Sequence, residues 1–189
     1  NNICLIVSRG RYLNDINNII GFIAANKIFK LYPIIISDLF YKNYDDIYKY
    51  FNFEDIKYVF SYKRIFENPK ILFLSILSTI FCLYNTKLKG FNWLIDQFHL
   101  KSIKIGDLIY DSFIRYNHGY LNPRINLKFI NQVFQSSYRT IKLVRIVEKL
   151  KPRMIFIGTD GYAHNSGIMM RIGLQYKIKT YEAQSDFIL

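Results

Sequence analysis

Three charged side chains stand four residues apart in the stretch IGDLIYDSFIRY, residues 105–116: Asp107, Asp111 and Arg115, with Tyr110 beside the second acid. On a helix the three share one face, and Asp111–Arg115 is an i,i+4 ion pair. An exposed pair of that kind contributes only a few tenths of a kcal/mol. The setting argues for more than a surface ladder. Gly106 precedes the first acid, and Leu108, Ile109, Phe113 and Ile114 can anchor the turn on a core. Carboxylates fixed in this way suit a general base or a hydroxyl-binding group, which must be in place before substrate arrives.

A second segment with chemical content is TDGYAHNSG, 159–167, which leaves an apolar strand-like run and enters a helix-like one. Asn165 or Ser166 can cap that helix, whose free N–H groups and dipole favour an anion. Asp160 or His164 is placed to act as a general base. The plainer reading is a turn made by Asp160 and Gly161, with His164 on the surface. A third segment, SRGRY at 8–12, offers Arg9, Gly10 and Arg11 where a phosphate or an acidic sugar could dock. It lacks the further glycines of a dinucleotide fingerprint, and no Walker A or GxSxG sequence occurs, so no tightly bound cofactor is expected. Asp45-Asp46 lacks the spacing of a metal-binding DxD, and His99 has no ligand set around it, so no metal is expected either.

The elements that must position these residues alternate. Apolar runs at 3–8, 33–37 and 153–159 read as buried strands, and 57–61 and 178–183 as two further strands. Helices are expected over 13–30, with an apolar face of Ile16, Ile19, Ile20, Ile23 and Ile28, and over 45–51. Pro69 opens another, and a further helix covers 166–176. Asn122-Pro123 reads as the start of a long helix that Lys151-Pro152 stops at Leu150. The pattern predicts one α/β domain, a Rossmann-like open parallel sheet of about five strands flanked by helices, with ligands at the carboxyl ends of the strands.

The formal net charge is +12, which points to an anionic partner. No nucleic-acid-binding motif accompanies it, so no nucleic acid is expected. Along the 123–150 helix, Lys128, Arg139, Lys142, Arg145 and Lys149 fall opposite Ile130, Val133, Ile141, Val144 and Val147. That basic face is a solvated surface or a contact for anionic lipid headgroups. The run ILFLSILSTIFCLY, 71–84, falls short of the roughly 20 apolar residues of a spanning helix and reads as buried or interfacial. Cys4 and Cys82 both lie in apolar runs and read as reduced and buried, which suits an intracellular protein.

IKIGDLIYDSFIRY resembles a segment of bacterial surface-polysaccharide biosynthesis proteins of the capsule and lipopolysaccharide type, a glycosyltransferase-like group. In that group a strand and a tip residue precede a Tyr…Gly…Arg pattern that enters a helix. Here FIGTDGYAHNSGIMMRIG supplies Tyr162, Gly167 and Arg171, and IKTYEA resembles the strand that follows. The resemblance runs through most of the chain in order and spacing. It implies a metal-independent GT-B-like enzyme of two Rossmann-like halves, of which residues 1–189 would be the N-terminal, acceptor-holding domain. The nucleotide-sugar would then be a co-substrate held mainly by a C-terminal domain beyond this sequence.

The group often has His where Asp160 stands, so the base remains open among Asp107, Asp111, Asp160 and His164. Arg9, Arg11 and Arg115 would serve as anion partners, and Gly10, Tyr110, Tyr162, Asn165, Ser166 and Gly167 as further substrate contacts. The implied partners are a glycan or lipid-linked acceptor and a nucleotide-sugar. The implied location is the cytoplasm, peripheral to the inner membrane, with Arg139, Lys142, Arg145 and Lys149 towards an anionic surface. Two alternatives use the same residues: another glycan-modifying transferase, phospho- or pyruvyl-, and a non-catalytic α/β module that binds anionic partners.

Overall fold

The structure, a computed structural model, describes residues 2–8, 12–37, 46–53, 55–60, 62–116, 124–158 and 165–183. In chain order the elements are β1 (Ile3–Val7), α1 (Tyr12–Phe29), β2 (Tyr32–Ser37), α2 (Asp46–Tyr50) and β3 (Ile56–Tyr58). A 3₁₀ turn (Tyr62–Glu67) leads into α3 (Pro69–Lys89), α4 (Phe91–Gln97), β4 (His99–Leu100) and β5 (Ile103–Lys104). Then come α5 (Gly106–Tyr116), α6 (Leu127–Leu150), β6 (Met154–Gly158), α7 (Asn165–Gln175) and β7 (Lys179–Ala183).

Five strands form one sheet in the order β3-β2-β1-β6-β7, and every pairing in it is parallel. This is the expected Rossmann-like open sheet. The central strands are apolar throughout because both faces are covered. Cys4 and Ile6 pack on one side with Ile19 and Phe22 of α1. Leu5 and Val7 pack on the other, in a larger core that takes in Leu94, Ile109, Phe113, Phe129, Val144 and Ile168 from the helices α4 to α7.

Several local expectations differ from the structure. In α1 the buried stripe is Asp15, Asn18, Ile19 and Phe22, while Ile20, Ile23 and Ile28 are exposed. Hydrophobicity alone set the helix in the wrong phase, because two of its inward positions are polar. The long helix begins at Leu127, where the Asn126 side chain accepts a hydrogen bond from Phe129 N at 2.9 Å. Asn122-Pro123, the start read from sequence, lies outside the described residues. The apolar run at 71–84 belongs to a 21-residue helix, α3, long and apolar enough to cross a membrane by length and composition. One of its faces is nevertheless held on the domain.

Unread in the sequence were α4 and the β4–β5 hairpin. The hairpin turns on Lys101 and Ser102, both at positive φ, as a two-residue turn between twisted strands requires. Gly106 follows at once. A Cβ there would collide with the Leu94 backbone carbonyl, so glycine is what lets α5 start hard against α4.

Candidate functional site at the carboxyl edge of the sheet

From β1 the chain moves outward through β2 and β3, then returns to β6 on the other side of β1. The carboxyl ends of β1 and β6 therefore flank the point where strand order reverses, the usual ligand crevice of an open α/β sheet. Residues that arrive there are polar and buried. Ser8, just past β1, donates through N to Ile36 O at 2.8 Å and through Oγ to Asp15 Oδ2 at 3.2 Å. Asn18 donates through Nδ2 to Val7 O at 3.2 Å, while its Oδ1 is buried without a hydrogen-bond partner among the described residues. Asp15 and Asn18 are each 0 % exposed, and Ser37, at the end of the neighbouring strand β2, is equally buried.

A carboxylate in this position is unusual, since burying an ionised group is costly unless other groups satisfy it. Asp15 lies in the first turn of α1, where the free N–H groups and the helix dipole favour a negative charge. Neither Asp15 nor Asn18 was singled out from sequence. The available signal was the interruption of the apolar spacing in NDINN, 14–18, in the first turns of the helix that follows a buried strand.

Across the crevice, α7 opens with Asn165, Ser166 and Gly167, all buried. Asn165 Oδ1 and Ser166 Oγ have no hydrogen-bond partner among the described residues. Both were expected to serve this helix start, and both are enclosed there. An unpaired buried polar group costs on the order of 1–3 kcal/mol; the two amide oxygens accept only and the Ser166 hydroxyl donates or accepts, so together they suit a ligand rich in hydroxyl groups. Arg9, Gly10, Arg11, Asp160, Tyr162 and His164, which flank these positions in sequence, lie outside the described residues.

The opening carboxylates occupy different surroundings. Asp107, in the first turn of α5, accepts from Arg171 Nη2 of α7 at 2.6 Å, and Arg171 Nη1 donates to Lys104 O at 3.2 Å. Arg171 is six residues into α7, about 9 Å along its axis from the crevice end. Asp107 thus fastens α5 to the flank of α7. Its second oxygen, Oδ1, is buried and has no partner among the described residues. An open cleft beside the pair is lined by the polar residues His99, Ser102, Lys104, Arg171 and Gln175 together with Ile103, Met170 and Leu174. Asp111 and Arg115 are exposed on α5, and Tyr110 packs its ring 5.9 Å from that of Phe91.

The basic face expected on α6 is interrupted. Arg139 is only 4 % exposed, its guanidinium 4.7 Å from the Phe60 ring centroid and donating to Gln135 Oε1 at 3.1 Å. The cause is that α3 packs over the middle of α6, whose residues 136–141 are buried on every side. Lys142 and Arg145 are half-buried, with Lys142 Nζ 5.8 Å from the Tyr138 ring, and Lys149 is exposed.

Cys4 and Cys82 are free and buried, and burial pushes both thiols up to about 12. Among the described residues no three His, Cys, Asp or Glu side chains converge as a metal site. The fold and the crevice define a Rossmann-like α/β domain. Comparison with protein-family models, curated proteins and solved structures finds no match to this chain.

Proposed function

We propose that the chain is the acceptor-binding domain of a glycosyltransferase of bacterial surface-polysaccharide assembly, which passes a sugar from a nucleotide-sugar to a glycan or lipid-linked acceptor. The observation that carries this reading is a set of buried oxygens at the strand-order reversal that have no hydrogen-bond partner among the described residues: Asn18 Oδ1, Asn165 Oδ1 and Ser166 Oγ. An amide oxygen can only accept, and a phosphate at neutral pH has little to donate, whereas each sugar hydroxyl donates one hydrogen bond. The sequence resemblance to surface-polysaccharide proteins supports the same reading independently.

In such a reaction a base must take the proton of the attacking hydroxyl. Asp15 joins Asp111, Asp160 and His164 as the groups to test for that role. Asp107 is better regarded as a positioning residue, because one of its oxygens is engaged by Arg171. The alternative of an anion-binding module built on the basic face of α6 gains nothing from Arg139, which is turned inward.

Saturation-transfer NMR with neutral and acidic oligosaccharides tests the reading on this chain. Sugar protons should receive magnetisation from the protein, and Asn165→Ala with Ser166→Ala should abolish that transfer while circular dichroism stays unchanged. A panel in which no saccharide responds, or in which the double variant responds like the parent, rules out the crevice as an acceptor site.

A further inference from the structure

Helix α3 is inside out by the standard of a helix on a water-soluble domain. Its buried positions are largely small or polar: Ser75, Thr79, Cys82, Asn85 and Thr86. The large apolar residues Phe73, Ile76, Leu77, Ile80, Phe81 and Leu88 point outward, each between 42 % and 63 % exposed. Their spacing of three and four residues places them in one stripe, about 22 Å long at 1.5 Å per residue. Tyr84 continues it.

The inward polar groups are satisfied within the helix. Ser75 Oγ donates to Ile71 O at 2.7 Å, Thr79 Oγ1 to Ser75 O at 2.7 Å, and Asn85 Nδ2 to Phe81 O at 2.9 Å. The facing helix α6 does likewise, with Ser136 and Thr140 donating to Gln132 O and Ser136 O, both at 2.8 Å. Small, back-bonded hydroxyl residues between helices, with bulky apolar residues outside, are how helices pack when the outer medium is lipid.

Charge selects the kind of surface. From Pro69 to Lys89 there is no acidic residue, and Lys70, Lys87 and Lys89 are exposed at the two ends of the stripe. At the carboxyl end, Lys89 Nζ lies 5.9 Å from the Trp93 ring, and Trp93 in turn lies 5.8 Å from Phe81. Lysine and tryptophan at the margin of an apolar face are interfacial anchors, with a polar tip for the headgroups and an apolar body for the acyl chains. The chain as a whole is at +12.

We infer that the outward face of α3 lies in the plane of an anionic phospholipid bilayer, with Lys70, Lys87 and Lys89 at the headgroups and Phe73, Ile80 and Phe81 beneath them. The other face of α3 packs on α6, and α6 packs on the sheet core, so the stripe meets the bilayer along the helix rather than across it. This lipid contact stands apart from the sugar-transfer reading and survives if that reading fails. It also moves the membrane-facing surface from α6, where sequence placed it, to α3.

Trp93 is the single tryptophan of the chain and reports directly on this face. The 189-residue chain is titrated with vesicles of phosphatidylcholine alone and of phosphatidylcholine with phosphatidylglycerol, some carrying brominated acyl chains. Binding to the anionic vesicles with quenching of Trp93 by bromine is expected, weakened at least tenfold by Ile76→Gln with Ile80→Gln. Lys87→Gln should weaken it about fivefold, and only on the anionic vesicles, at roughly 1 kcal/mol per basic residue near the surface. Circular dichroism controls for folding, and the wild-type quenching stands on its own should a variant misfold. Absence of quenching in the wild type overturns the inference. So does sedimentation as a dimer that the double variant converts to a monomer without any vesicle binding, since a second copy would then be what covers the stripe.

Discussion

Arg171 and Asp107 meet at 2.6 Å across 64 positions of sequence, and that ion pair ties the helix after β6 to the helix after the β4–β5 hairpin. Both side chains are more than two-thirds buried, so solvent screens the pair less than it would a surface bridge. Removing Asp107 leaves Arg171 with the Lys104 carbonyl alone. We expect Asp107→Ala to cost about 1.5–3 kcal/mol in urea denaturation, the range for a hydrogen bond to a charged group. Asp111→Ala, at an exposed position of the same helix, should cost less than about 0.5 kcal/mol. Equal losses for the two would mean that the pair contributes nothing beyond surface charge.

The buried cluster of Ser8, Asp15 and Asn18 should show a function-for-stability exchange. A buried carboxylate is costly to keep ionised, and residues retained at such a cost tend to be used in binding or chemistry. Asp15→Asn keeps the shape and removes the charge. It should leave the denaturation midpoint within about 1 kcal/mol of wild type, or raise it, while saccharide binding falls at least tenfold. A loss of more than about 2 kcal/mol with binding intact would make Asp15 purely structural.

The three central strands β1, β2 and β6 were legible because buried parallel strands are written as nearly unbroken apolar runs, whereas the edge strands β3 and β7 carry charged residues and followed from the alternation of strand and helix. Helix phase was harder. In α1 the inward side chains of Asp15 and Asn18 bond to Ser8 and to Val7 O of β1, contacts that exist only once the sheet is assembled. In α3 the inward groups bond to their own helix, which frees the apolar residues to face outward and reverses what hydropathy alone suggests. The Asp107–Arg171 pair was hidden for a related reason: helical spacing offers Arg115 as an i,i+4 partner to Asp111 and none to Asp107, and only the tertiary fold brings Arg171 to Asp107. Arg139 shows the same thing in reverse, a charge placed on a face by helical geometry and then covered by α3 and Phe60.

The two cysteines give the domain a defined alkaline response. In the folded chain burial raises both thiols from 9.0 to about 12, whereas in the unfolded chain they ionise near the ordinary value. The folded state therefore holds protons that the unfolded state releases. The resulting stabilisation is full below about pH 9 and is lost as pH rises towards about 12. Each thiol makes the loss steeper by about 1.4 kcal/mol per pH unit within that window. Urea midpoints between pH 8 and pH 11 should fall less steeply for Cys82→Ala than for wild type, whatever the offset between the two proteins. Parallel curves would show that Cys82 ionises alike in both states.

The ends of α6 offer the sharpest test of local geometry, because one is well capped and the other is strained. Asn126 accepts from Phe129 N at the start, and Asn126→Ala should cost about 1 kcal/mol, typical for loss of a side-chain cap. At the far end Lys151 is left-handed, with φ 47° and ψ 60°, and its N–H donates to Val147 O at 2.8 Å. Glycine takes that conformation without the Cβ penalty, and the Lys151 side chain is exposed, so little packing is lost with it. Lys151→Gly should accordingly raise stability, by up to about 1 kcal/mol after the extra freedom of glycine in the unfolded chain is subtracted. Thermal and urea unfolding of the two single variants and the double variant would give opposite shifts that add, since the caps are too far apart to interact. Destabilisation by Lys151→Gly would mean that the lysine side chain, and not its backbone, holds the end of the helix.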